Sequence, residues 1–276
     1  MKQGSTLRSA LIWVPSLTLV VLTIFPYLWI FLTSIKPEAE LWSPDFHYLP
    51  QRITLENYVQ LLTSTPIARY FVNSTIVASL STVLALAVAV SAAYSFSRFR
   101  FWGRNFLMTL FLVIPMFPTV LILIPLFVIM RNLHLLGSYV ALLIAYTTFV
   151  IPFSVWMLTG FFAAFPVDLE EAGMVDGCSR LGAVFRILVP MALPGIIATG
   201  IYIFIVAWNE FLFALMFTAA NTRTLPVGLY SFIGEYDVHW GLLTATGMVV
   251  TIPVVILFFL VQGHLIRGLT AGAIKG

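Results

Sequence analysis

The chain has 276 residues, of which 61% are hydrophobic and 9% charged, with a mean hydropathy of +1.02, whereas a soluble domain usually carries about 25% charged residues. Its formal net charge of +3 is spread over loop ends and forms no run, so a nucleic-acid role has no electrostatic footprint. Cys178 is the single cysteine, which excludes an intrachain disulfide.

A helical crossing needs about 20 mostly apolar residues. On that measure the uncharged stretches predict spans near 10–35, 70–94, 105–130, 138–162, 193–219 and 241–263. Backbone polar groups in hydrocarbon must be satisfied within the segment, and the runs are too long for barrel strands. The expected fold class is therefore all-α, a polytopic membrane bundle of about six helices forming one domain over 1–276.

The first stretch follows Lys2 and Arg8 and has the basic start of a secretory signal, but its apolar part exceeds a signal's roughly 7–15 residues and more spans follow. It reads as a first transmembrane helix. In the second span, Asn73 and Ser74 are candidates for bonding a neighbouring helix or lining a path, with helix bonding the commoner role. The third span contains Pro115, Pro118 and Pro125 and should bend most; Pro26, Pro152 and Pro253 mark further kinks.

Lys and Arg divide unevenly between the loops. Segments 1–9, 95–104, 163–192 and 264–276 hold nine: Lys2, Arg8, Arg98, Arg100, Arg104, Arg180, Arg186, Arg267 and Lys275. The opposite loops hold five: Lys36, Arg52, Arg69, Arg131 and Arg223. Both termini should accordingly be cytoplasmic, with the 36–69 and 220–240 loops outside. In those outer loops His134 and His239 have no second ligand at metal spacing, and Trp42, Phe46, His47 and Tyr48 suit either the membrane interface or an external partner, interfacial anchoring being the commoner role.

The cytoplasmic loop at about 163–192 carries a polar segment, Pro166 to Gly182, with four of the chain's eleven acids. Asp168 with Glu171 three residues on resembles a capping box, and Asp176-Gly177 offers a turn. Ser179 can cap a second short helix, on which Leu181, Val184, Phe185 and Leu188 form an apolar stripe to lay against the bundle. Ala172 and Gly173 leave the first helix a face of little bulk that a partner can approach. Local features alone also fit a solvated loop with ordinary caps.

Within this loop Glu171-Ala172-Gly173, Gly177, Ile187 and Val189-Pro190 stand at the spacing of the EAA signature of ABC-importer permeases. The chain resembles that family, departing from its commonest form in having Gly173 for the second alanine and Val189 for the leucine before the proline. Tyr70–Thr75, Tyr94–Phe99, Trp208–Ala214 and the tail Gly268–Gly276 extend the resemblance over nearly the whole chain, toward the carbohydrate branch and its maltose-type permeases. The resemblance implies a type I importer permease fold in a bacterial inner membrane. It implies that Asp168, Glu171, Ala172, Gly173, Asp176 and Gly177 belong to a coupling helix that docks on a cytoplasmic ATPase. It also implies a second permease, two ATPase copies that bind ATP and Mg, and an extracytoplasmic sugar-binding protein. The chain itself has no Gly-x-x-x-x-Gly-Lys-Ser or Thr phosphate loop, and no paired catalytic residues at a shared depth point to an enzyme.

Glu210 is the one acid placed inside a predicted span, where a charge costs on the order of 3 kcal/mol. With Trp208 and Asn209 it is a candidate for the sugar path, the indole stacking on a ring and the polar groups meeting hydroxyls. Glu210 and Asn209 alternatively hold helices together or bond a partner subunit, the commoner role for such side chains. An alternative makes Glu210 the coupling carboxylate of an ion-driven secondary transporter.

Overall fold

The computed structural model describes the backbone at residues 3–45 and 47–273 and side chains at 11–45 and 47–263. Lys2, Phe46 and Lys275, the side chains of Arg8 and Arg267, and the side chains of the tail motif lie outside these described residues. The long apolar stretches become helices: α1 (Gln3–Ser34), the short α2 (Glu38–Leu41) and α3 (Glu56–Ser64), then α4 (Ile67–Arg98). The bent third span is α5 (Arg104–Val113), a 3-10 turn Ile114–Met116, and α6 (Thr119–Asn132). After α7 (Tyr139–Ala163) come α8 (Asp168–Val175), α9 (Arg180–Ala183), a π-helical turn Val184–Leu188 and α10 (Val189–Met191). The chain continues through α11 (Leu193–Asn209), α12 (Leu212–Phe217), α13 (Leu225–Tyr230) and α14 (Trp240–Ala273). Among the described residues no strand forms beyond a single bridge between Ile233 and Val238.

Among the described residues four helices are long and apolar enough to cross a membrane, and the number reaches six if each of two bent pairs counts as one crossing. The α5–α6 pair turns by 96°, the bend that Pro115 and Pro118 predict. Pro115 removes an amide donor in the 3-10 turn, and Pro118 forces Phe117 into extended backbone (φ −70°, ψ 136°), so the helix ends and restarts. Pro26, Pro152 and Pro253 sit inside continuous helices. The fifth span departs from expectation: α11 stops at Asn209, Glu210 is extended (φ −68°, ψ 128°), and a separate α12 follows. A second bend, of 77°, separates Arg180–Met191 from α11.

By packing, the chain divides into two units, Met1–Ala68 with Gly228–Ile252, and Arg69–Val227 with Pro253–Gly276. In the first, the end of α1 is closed by polar bonds. Asn57 Nδ2 donates to the Ser34 and Lys36 carbonyls at 2.9 and 2.8 Å, satisfying groups that a helix C-terminus leaves orphaned. Glu38 Oε2 accepts from Gly241 N at 3.1 Å at the start of α14. Trp42 and Tyr48 are exposed in this segment.

The second unit has a core built on small residues. Ala85, Ala89 and Ala93 are fully buried along one stripe of α4, which lets neighbouring helices approach closely, as membrane packing favours. Ala89 and Ala93 pack with Val155, Leu158 and Phe162 of α7 and with Leu188, and Ala85 with Val150 and Ile203. At one end Asn73 Nδ2 donates to the Asn221 and Arg223 carbonyls at 3.0 and 2.7 Å, and Tyr139 donates to Asn73 Oδ1 at 2.6 Å. Ser74 Oγ accepts from Leu225 N at 2.8 Å. Both side chains thus hold the 218–225 loop to the helices and are spoken for by protein.

Candidate functional site: the 163–192 loop and the break at Glu210

The loop is the helix, turn, helix element that its residues suggest. Gly177 has φ +92°, a conformation that glycine adopts without the steric cost other residues meet. It closes α8 after the C-cap Asp176. Ser179 Oγ accepts from Gly182 N at 3.1 Å and caps α9. Asp168 does not cap α8. Val167 occupies the cap position without a side-chain bond, and Asp168 is the first helical residue. It acts there with Glu170 and Glu171 as negative charge in the first turn, favourable to the helix dipole.

The two faces of α8 differ. Asp168, Glu171, Ala172 and Val175 are exposed at i, i+3, i+4 and i+7 and make one side, with Val175 87% exposed. Glu170 and Gly173 are buried on the other. The expectation that Gly173 shares an open, low-bulk face with Ala172 is therefore corrected: a Cβ at Gly173 would overlap Ile187 Cδ1 and approach Ala183 Cβ at 3.8 Å. Its small size serves packing inside the loop, and only Ala172 faces outward.

Glu170 is a residue that sequence reasoning missed. It is 5% exposed, and Arg98 Nε at the end of α4 donates to its Oε1 at 2.5 Å. Tyr94 lies near the same carboxylate. The signal available was a run of two glutamates in which only one can face outward. The Leu181, Val184, Phe185, Leu188 stripe is also corrected: Val184 and Leu188 are buried, but Leu181 and Phe185 are exposed. Across the π-helical turn at Val184–Leu188, Leu181 and Phe185 share one exposed face and Val184 and Leu188 share the buried one.

At the other candidate site the three residues part company. Trp208 is 1% exposed, lying stacked on Phe204 with ring centroids 5.6 Å apart and edge-on to Phe71 at 5.7 Å. It is a core side chain and offers no free ring face in this structure, contrary to the expected stacking platform. Asn209 is exposed, and its Nδ2 donates back to the Ile205 carbonyl at 2.8 Å. Glu210 accepts from Phe213 N at 2.8 Å and Ala214 N at 3.0 Å. The carboxylate supplies acceptors to amides at the start of α12 that the broken helix leaves without carbonyl partners. Among the described residues no group of His, Cys, Asp and Glu is placed to hold a metal.

Comparison with known proteins accords with this architecture. The family of binding-protein-dependent transport system inner membrane components matches residues 81–271. The sulfoquinovosyl glycerol transport system permease SmoH of Agrobacterium fabrum is 42% identical over 259 residues, covering 94% of this chain and 91% of that protein. The trehalose/maltose transport system permease MalG of Thermococcus litoralis is 36% identical over 275 residues, covering 98% of each. A chain from the crystal structure of a bacterial ABC transporter involved in import of the acidic polysaccharide alginate has the same fold, with a TM-score of 0.80, 22% identity, and coverage of 95% of this chain and 98% of that one. The ion-coupled alternative for Glu210 finds no support in these relatives, and the carboxylate's bonds within the chain give it a structural use.

Proposed function

This chain belongs to the family of binding-protein-dependent transport system inner membrane components, and from that premise we infer that it is the permease subunit of an ATP-driven importer of a sugar or glycoside. The substrate class rests on the relatives, whose printed names concern a sulfoquinovosyl glycerol and the disaccharides trehalose and maltose. Residues 1–276 act as one permease domain, crossing the inner membrane several times with both termini in the cytoplasm. A second permease completes the translocation path. Two copies of a cytoplasmic ATPase bind ATP and Mg, and a binding protein delivers the sugar from outside.

The observation that carries the coupling role is the exposed Asp168, Glu171, Ala172 and Val175 face of α8, held in place from behind by Arg98–Glu170 and by Gly173 on Ile187. It joins an apolar centre to flanking acids, a mixture suited to a partner's cleft with basic margins. ATP-driven closure of the two ATPases moves this face, and the attached spans exchange inward and outward states, each binding different ligands well. Asp176 and Gly177 end the docking helix and set the direction in which the chain returns. The sugar path runs along the bundle, with exposed Asn209 beside it; Glu210 shapes the break that gives the path its local backbone, and Trp208 supports that break from the core.

Gentle solubilisation from the native membrane, purification through this chain, and mass spectrometry of the accompanying proteins tests the assignment. A phosphate-loop ATPase and a second multispanning chain in near-stoichiometric amount are expected. A lone or self-paired chain, under conditions that preserve known complexes, would contradict it.

A further inference from the structure

The loop Phe99–Gly103 joins two membrane-crossing segments, and Arg100 within it and Arg98 and Arg104 on either side do different work. Arg98 is consumed by Glu170. Arg104 donates from Nε to the Phe96 carbonyl at 2.7 Å, which fixes its guanidinium at the rim of a cleft of about 430 Å³ lined also by Arg100, Phe101, Asn105 and Phe106. Among the described residues no carboxylate lines that cleft, and neither Arg100 nor Arg104 forms an ion pair. Beside the cleft Trp102 is 100% exposed, and Phe101 and Phe106 are exposed as well. A loop this short between two spans stands at headgroup depth, where indole and phenyl rings settle.

We propose that this cleft binds the phosphate of an anionic phospholipid headgroup, of the phosphatidylglycerol or cardiolipin type, and that it is a lipid site of the permease. Two cations converge on it, one of them held by the backbone before any ligand arrives, and a guanidinium is suited to paired bonds with phosphate oxygens. The aromatic ring edges supply the apolar floor on which the glycerol and first methylenes lie. Lipid is favoured over a soluble anion because the exposed Trp102 and Phe106 have no use in binding free phosphate.

The test uses the full chain purified with the proteins that follow it, placed in nanodiscs of phosphatidylcholine with or without phosphatidylglycerol. Lipid retained on mild activation is read by native mass spectrometry. Retention of phosphatidylglycerol over phosphatidylcholine is expected, weakened about fivefold by Arg100→Ala, the factor corresponding to loss of one surface cation at an anionic membrane. Trp102→Ala should lower retention too, and both side chains are exposed, so neither change threatens folding. Arg131→Ala, which removes an exposed cation elsewhere, should leave retention unchanged. Equal retention in Arg100→Ala, or an equal loss in Arg131→Ala, would overturn the proposal. Displacement of the bound species by inorganic phosphate alone would overturn it also, by making the cleft a free-anion site.

Discussion

Arg98 and Glu170, 72 residues apart in sequence, meet through a 2.5 Å bond from Nε to Oε1 with both side chains buried. The contact joins the last residue of α4 to the inward face of α8, so motion of one is felt by the other. Removing one partner from a buried pair leaves an uncompensated charge at a cost of about 3–5 kcal/mol, whereas replacing both by apolar residues is often neutral.

Glu170→Gln should therefore lower ATP-driven uptake severely while the chain still inserts, and Arg98→Met combined with Glu170→Met should recover expression and thermal stability. Uptake relative to ATP hydrolysis in proteoliposomes, with melting temperatures of the complexes, reads both effects. A double variant no better than the single one would show that the unpaired charge is not what the single variant suffers from.

At Gly177 the backbone stands at φ +92° with open space where a Cβ would go. A side chain there meets conformational strain of about 1–2 kcal/mol and no collision within the chain. Gly177→Asn should consequently retain more uptake than Gly177→Val, because asparagine tolerates left-handed backbone, and a bulky residue should block ATPase docking without preventing insertion. Normal uptake of Gly177→Trp at normal expression would exclude a docking role for this turn.

Glu210 accepts two amide hydrogens of the segment after the break. Loss of such a cap costs about 0.5–2 kcal/mol. Glu210→Gln keeps an acceptor and should support near-normal uptake that an uncoupler at fixed ATP does not stop, while Glu210→Ala should be less stable. Abolition of uptake by Glu210→Gln, without loss of stability, would require a role for the charge itself.

Cys178 is the only cysteine and lies partly exposed directly after the turn. If the loop is cytoplasmic, a membrane-impermeant maleimide should label it in inside-out vesicles and not in right-side-out ones. The reverse pattern would invert the topology.

What the sequence made legible followed from strong, simple signals. Apolar runs mark the spans because burial in lipid admits few charges, and Pro115 with Pro118 marks the bend because proline's ring acts locally. The turn at Gly177 and the cap at Ser179 were readable for the same local reason. The break at Glu210 was not, since neither glycine nor proline announces it and the helix ends through bonds that the carboxylate itself makes. Nor was the inward role of Gly173, which depends on where Ile187 arrives, or the burial of Val184 and Leu188 without Leu181 and Phe185. Glu170 escaped notice because its partner Arg98 lies across two intervening spans.

Whether the outward face of α8 meets an ATPase is read by a site-specific crosslink from that face. In a Cys178→Ser background, Ala172→Cys carrying a short photoactivatable thiol reagent should crosslink in native membranes to a protein containing a phosphate loop, and Asp45→Cys, in the 36–69 loop expected outside by its charge balance, should not. Crosslinking of Ala172→Cys to lipid alone, with the rest of the transporter present, would exclude docking of this face on an ATPase.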